Sequence, residues 1–119
     1  MGIPGPILVA GEDPLIRDLL RTLLESSGYE VIATSDQADL PHQVAPSLAL
    51  LDLDPITWAG GERLRQLYDT LENCLPIIAL TAQDDLSELA LRFDACLWFP
   101  KPFSIDHLLQ VVRHLSVRS

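Results

Sequence analysis

Six polar side chains of this 119-residue chain stand at or just after the ends of short apolar runs. They are Glu12, Asp13, Asp52, Asp54, Thr81 and Lys101. Carboxylates such as Glu12 and Asp52 are ligands that Mg²⁺ prefers, and a carboxylate can also attack phosphorus as a nucleophile. The hydroxyl of Thr81 and the ammonium of Lys101 can bind phosphoryl oxygens. If these groups meet in space, they predict a phosphoryl-transfer site with Asp52 as the acceptor.

Five apolar runs predict the β-strands that would carry these groups. Four are short and almost wholly apolar, which is typical of strands buried on both faces. The predicted strands are 7–10, 29–34, 48–51, 76–80 and 96–99. The polar side chains therefore lie at or beyond the carboxyl ends of these strands.

Helical patterns separate the predicted strands. The first helix is predicted to begin with Asp13 as its N-cap and Pro14 at its first position, and to end at Gly28. Ser104 is predicted to cap the last helix. Apolar residues also recur at helical spacing within 64–71 and 86–93.

The stretch 35–46 is less regular. Pro41 interrupts it, so any helix there is short.

The order of these elements predicts one domain over residues 1–119. Strands that alternate with helices form a parallel sheet covered on both faces, and right-handed crossovers leave few possible topologies. We expect an α/β, doubly wound, flavodoxin-like (βα)₅ fold with five parallel strands in the order 2-1-3-4-5. In such a sheet, ligands bind at the carboxyl ends of the strands. The fold therefore brings the candidate site together at one edge.

Composition excludes several classes of partner. The formal net charge is −9. Binding to nucleic acid phosphates or to an anionic membrane surface needs clustered positive charge, so neither is expected. No apolar run is long enough to span a bilayer and no signal peptide is evident, which together predict a cytoplasmic protein.

Several local sequences resemble response regulator receiver domains of two-component signalling, which share the fold of chemotaxis regulators. The run 7–9 leads into an acidic turn with Pro14 and Arg17, and the segment 50–53 is followed by Gly60 at the family's usual distance. Thr81-Ala82 and Lys101-Pro102-Phe103 are similar to the last two signatures of the family. Each motif is short, but their order and their places at the strand ends are specific.

The resemblance implies a signalling switch rather than an enzyme. A histidine kinase or a phosphotransfer protein would phosphorylate Asp52, with Mg²⁺ as cofactor. The backbone carbonyl of Asp54 falls at a metal-ligand position of the family, and Asp13 is a further candidate ligand. The resemblance also implies a cis peptide bond before Pro102 and a switch in which Thr81 and Trp98 move together. The output would run through an effector domain or through self-association of the last helices.

Four departures from the family pattern affect the site. Receivers usually carry two adjacent acids after the first strand, whereas here Gly11 stands at the first position and Glu12, in place of the usual Asp, at the second. Pro55 lies three rather than four residues past Asp52, and Trp98 replaces the usual Tyr or Phe. Since Mg²⁺ is strict about ligand geometry, we expect weakened metal binding.

Two other functions stay open on the sequence alone. The missing acid at Gly11 favours a pseudo-receiver, a protein-interaction module that works without phosphorylation. Asp52, Asp54 and Thr57 also resemble the Asp-x-Asp motif of haloacid-dehalogenase-like phosphohydrolases. That motif follows the first strand in its own family and the third strand here, which makes the hydrolase the weaker hypothesis.

Overall fold

A central parallel sheet organises the computed structural model, which describes residues 5–34, 46–53, 65–66, 69, 75–82 and 97–116. Its strands are β1 (Ile7–Ala10), β2 (Val31–Thr34), β3 (Leu48–Asp52), β4 (Ile77–Thr81) and β5 (Leu97–Pro100). All neighbouring strands are parallel, and their order is β2-β1-β3-β4-β5. The predicted fold class and strand order are therefore confirmed.

Two helices belong to the described residues, α1 (Pro14–Ser26) and α2 (Ile105–Ser116). The helical patterns expected within 64–71 and 86–93, and the irregular stretch 35–46, fall wholly or largely outside the described ranges. Neither described helix is long and apolar enough to cross a membrane.

Local sequence signals account for both ends of α1. The Asp13 side chain accepts a hydrogen bond from the backbone N–H of Leu15 at 2.9 Å, and Pro14 begins the helix. Gly28 adopts a φ of +96° just after the helix, in the left-handed region that glycine enters at little cost. The predicted cap and stop are thus confirmed.

A side-chain cap also begins α2. The Ser104 hydroxyl accepts a hydrogen bond from the backbone N–H of His107 at 3.2 Å, as the sequence predicted.

Alternate residues of the central strands face two separate apolar clusters. The cluster that includes α1 and α2 is built from Ile7, Val9, Leu20, Leu24, Leu48, Leu50, Ile78, Leu80, Phe99, Leu108 and Val112. The cluster on the opposite face is built from Leu8, Ala10, Ala49, Leu51, Leu53, Ile77 and Ala79. Because β1, β3 and β4 are buried at every position, the sheet is apolar on both faces. The polar residues that end β3 and β4, Asp52 and Thr81, are therefore buried as well.

Candidate functional site

The carboxyl ends of adjacent strands bring Gly11, Asp52, Thr81 and Lys101 to one edge of the sheet. Ala10 pairs with Leu51 in the β1–β3 register, so that the following residues, Gly11 and Asp52, are neighbours. Asp52 and Thr81 end β3 and β4, and the backbone N–H of Lys101 donates to the carbonyl oxygen of Thr81 at 2.9 Å. The predicted convergence of Asp52, Thr81 and Lys101 is thus observed.

Asp52 and Lys101 form a buried ion pair at this edge. The Lys101 Nζ lies 2.5 Å from Asp52 Oδ1. The Asp52 side chain is fully buried and that of Lys101 is 17% exposed. Burying a carboxylate without a counter-charge is costly, so the ammonium stabilises Asp52 in its charged form. Lys101 is the single lysine of the chain, and no other lysine can take its place.

Local backbone geometry positions the lysine. The peptide bond between Lys101 and Pro102 is cis, as the family resemblance implied. The backbone hydrogen bond from Lys101 to Thr81 and the contact of its Nζ with Asp52 place the lysine side chain at the ends of β3 and β4.

Gly11 lies in direct contact with Asp52. A Cβ atom added at Gly11 would stand 2.8 Å from the Cβ of Asp52 and 3.2 Å from its carbonyl oxygen. The sequence identified Gly11 only as the position of a missing acid, and its role in strand packing was not predicted. Glycine as a mark of close backbone approach was the signal that could have revealed it.

The two acids after Gly11 differ in role. Asp13 caps α1, which confirms that part of the prediction. Glu12 is half-buried at the end of β1 and keeps its place as a candidate metal ligand. Asp54, whose carbonyl was predicted to bind metal, lies outside the described residues.

The donors within the described ranges are compatible with a magnesium ion. No cluster of three or more His, Cys, Asp or Glu side chains suited to a metal occurs in this part of the chain. Mg²⁺ is nevertheless often held by only one or two carboxylates, with water completing its shell. Glu12 and Asp52, at the ends of neighbouring strands, meet that requirement in their chemistry.

Thr81 and Trp98 face the same side of the sheet. Trp98 pairs with Ala79, and Thr81 pairs with Pro100 two positions further along both strands. Thr81 is buried, while Trp98 is half-buried against the cluster that contains Leu8 and Leu51. On this face of the sheet, the indole of Trp98 therefore lies level with Ala79, two residues before Thr81.

A cleft of about 250 Å³, which the sequence did not predict, opens beside Trp98. Its lining runs from the end of β5 into α2 and consists of Trp98, Phe99, Pro100, Pro102, Phe103, Ser104 and His107. Two of the lining residues, Pro100 and Pro102, are the sequence neighbours of Lys101. A change in the position of Trp98 would therefore change the shape of this cleft.

The doubly wound sheet and the carboxylate–lysine pair at its carboxyl edge define a small α/β domain suited to bind a phosphoryl group. The family model for the response regulator receiver domain matches residues 7–113. Because this match spans most of the sequence, the chain belongs to the response regulator receiver domain family.

Relatives of known name agree with this family. The chain is 35% identical over 122 residues to the response regulator MprA of Mycobacterium sp. (strain KMS), a match that covers 98% of this chain and 53% of that protein. It is 36% identical over 118 residues to MprA of Mycobacterium leprae (strain TN), covering 95% of this chain and 51% of that protein. The chain thus spans about half the length of these relatives.

Solved structures share the fold. The Vibrio cholerae chemotaxis protein CheY4 matches with a TM-score of 0.74 at 19% identity, over 95% of this chain and 99% of that one. The response regulator TrrA of Thermotoga maritima, solved in complex with Mg(2+)-BeF, matches with a TM-score of 0.71 at 26% identity, over 93% of this chain and 98% of that one.

Proposed function

We propose that this receiver domain is switched by transfer of a phosphoryl group from a histidine kinase, or from a phosphotransfer protein, to Asp52. The observation that carries the proposal is the buried pair of Asp52 and Lys101. A fully buried carboxylate at the ligand-binding edge of a doubly wound sheet, held in its charged form by the only lysine, is a nucleophile next to a phosphate-binding cation.

The proposed reaction uses three side chains of the chain itself. A carboxylate oxygen of Asp52 attacks the phosphorus of a donor phosphohistidine, forming an O–P bond while the P–N bond breaks and the electron pair stays on the histidine nitrogen. The Lys101 ammonium then pairs with the phosphoryl oxygens in place of the carboxylate. Thr81 donates a hydrogen bond to another of these oxygens.

Mg²⁺ is the proposed cofactor. Glu12, Asp52 and the backbone carbonyl of Asp54 would hold it, with Asp13 as a further candidate. Its charge would reduce the repulsion between the carboxylate and the incoming phosphoryl group. The complex of TrrA with Mg(2+)-BeF supports this proposal, since that protein is a relative of the same family.

Movement of Thr81 toward a phosphoryl group would change the surface of the domain through Trp98. Trp98 faces the same side of the sheet as Thr81, two residues before the position that pairs with it, and lines the cleft between β5 and α2. We therefore propose that Thr81 and Trp98 form the switch pair, and that the changed surface includes this cleft.

Family membership favours this function over the two alternatives. A phosphorylation-independent module would not require the acceptor, the hydroxyl and the lysine at one edge. A phosphohydrolase would need its Asp-x-Asp motif after the first strand, whereas Asp52 ends β3. The proposed role is therefore that of a signalling domain rather than of an enzyme acting on other substrates.

The partners proposed for the chain are proteins. Its net charge of −9 supports this over nucleic acid or a membrane surface. Because the relatives are about twice as long as the matched segment, we propose that the output runs through an effector domain, with self-association through the last helices as the other candidate. The proposed location is the cytoplasm.

Phosphorylation by a small-molecule phosphoryl donor, followed by mass spectrometry, tests the acceptor. We expect the wild type to gain one base-labile phosphoryl group and Asp52→Asn to gain none. Asp18→Asn is the matched control, because it removes a carboxylate from the exposed side of α1 and should be modified like the wild type. Modification that persists in Asp52→Asn, or a wild type that stays unmodified, would contradict the proposal.

A further inference from the structure

The closest approach of β1 to the acceptor occurs at Gly11. A Cβ atom there would meet the Cβ of Asp52 at 2.8 Å, its carbonyl oxygen at 3.2 Å and its Oδ2 at 3.5 Å. At Gly28, by contrast, an added Cβ would meet nothing within 4 Å. Gly28 is needed for its positive φ, and Gly11 is needed for space.

The atoms that a side chain at position 11 would contact cannot move away by rotation of a side chain. The Cβ and the carbonyl oxygen of Asp52 are fixed to the backbone of β3, unlike the tip of a flexible side chain. That backbone is paired with β1 on one side and with β4 on the other, where the N–H of Leu53 donates to the carbonyl oxygen of Leu80 at 2.9 Å. A side chain at position 11 therefore requires the ends of β1 and β3 to separate.

We propose that Gly11 is a positioning residue: its lack of a side chain lets β1 close against Asp52, and this closure excludes a second carboxylate from the end of β1. A divalent cation is then held through Glu12 and Asp52 and not through a side chain at position 11. The part that concerns the cation rests on the proposed function, whereas the packing of Gly11 does not.

This packing changes the charge balance of the site. With no acid at position 11, the carboxylate of Asp52 is matched by the ammonium of Lys101 at 2.5 Å. The Lys101 ammonium contacts Asp52 Oδ1, so a cation that binds to this carboxylate meets a positive charge beside it, and the two charges repel each other. We therefore expect the site to bind the cation weakly.

Two substitutions at Gly11 separate steric effects from charge. Gly11→Ala adds only the Cβ atom, and Gly11→Asp adds the carboxylate that the family usually carries there. Gly28→Ala is the control, because it strains the backbone through φ at a position where no atom is near. The urea midpoint and the amide chemical shifts of the metal-free 119-residue chain are measured for all three variants.

We expect Gly11→Ala and Gly11→Asp to lower the urea midpoint and to shift the amide signals of Asp52, Thr81 and Lys101. Gly28→Ala should lower the midpoint while leaving those three signals in place. An unchanged midpoint and unchanged signals in Gly11→Ala would overturn the packing inference.

Titration with Mg²⁺, followed by amide shifts and by the rise in thermal midpoint, tests the cation part. We expect Gly11→Asp to bind no more than about threefold tighter than the wild type, and Glu12→Gln to bind at least about tenfold weaker. Binding by Gly11→Asp that is tenfold tighter or more, at an unchanged urea midpoint, would show that position 11 simply lacks a ligand and would overturn the proposal.

The two proposals can fail separately. If the wild type is not phosphorylated, the proposed function fails while the response of Gly11→Ala still decides the packing. If Asp52 is phosphorylated but Gly11→Asp both folds with an unchanged midpoint and binds Mg²⁺ more tightly, only the inference about Gly11 fails.

Discussion

The ion pair between Asp52 and Lys101 is the residue-scale feature on which the site depends. A buried pair contributes little net stability compared with two apolar residues, but removing one partner leaves an uncompensated charge in the interior. Asp52 is the more deeply buried of the two, so that loss of Lys101 is the more informative perturbation.

Lys101→Met in metal-free buffer should lower the free energy of unfolding by about 3 kcal/mol, because the Asp52 carboxylate stays buried without its counter-ion. The double variant Asp52→Asn/Lys101→Met should recover much of this loss, since neither charge remains. Urea unfolding of the wild type, the two single variants and the double variant gives the coupling energy. Additive effects of the two substitutions would mean that the pair is not a coupled unit.

Among the secondary-structure elements, α1 begins at Pro14, directly after the candidate site residues Glu12 and Asp13. Asp13 ends the turn that follows β1 and Glu12, and its side chain satisfies a backbone N–H of the first helical turn. The cap therefore fixes the direction in which the chain leaves the candidate site. It also gives Asp13 a structural role that is independent of any metal.

Asp13→Ala should lower the free energy of unfolding by about 1 kcal/mol through loss of the hydrogen bond to Leu15. Asp13→Asn keeps an oxygen acceptor and should retain most of the stability while it removes the charge. Urea unfolding measures the first effect, and Mg²⁺ titration of Asp13→Asn then reports on the carboxylate alone. Equal stability of the Ala and Asn variants would argue against the capping role.

At the scale of the molecule, β3 joins the two apolar clusters. Leu48 and Leu50 pack on the side of α1 and α2, while Ala49 and Leu51 pack on the other. If β3 left the sheet, apolar side chains of both clusters would be exposed together.

We expect the whole chain to unfold in one cooperative transition, as a single domain over residues 1–119 would. Urea curves from far-UV circular dichroism and from tryptophan fluorescence should coincide, because the described helices and the indole of Trp98, one of the two tryptophans, pack on one shared sheet. Two separated midpoints would indicate that the chain contains more than one folding unit.

The helix caps and the strands were predictable because their signals are local. Asp13, Pro14 and Gly28 each act on the nearest turn of backbone, and burial on both faces shows directly in runs such as 48–51. The boundaries shifted by one or two residues, as at β2, which begins at Val31 rather than at residue 29. The outer strands are less buried than the central ones, which residue type alone did not reveal.

Residue types and their spacing were enough to predict the five strands to within one or two residues, their order in the sheet, and the edge at which Asp52, Thr81 and Lys101 meet. The distances were not predictable in this way: Lys101 contacts Asp52 across 49 positions of sequence, and a Cβ atom added at Gly11 would lie 2.8 Å from the Cβ of Asp52. These distances depend on strand register and on how closely neighbouring backbones pack. Both arise from the whole sheet at once, and no local pattern of residues encodes them.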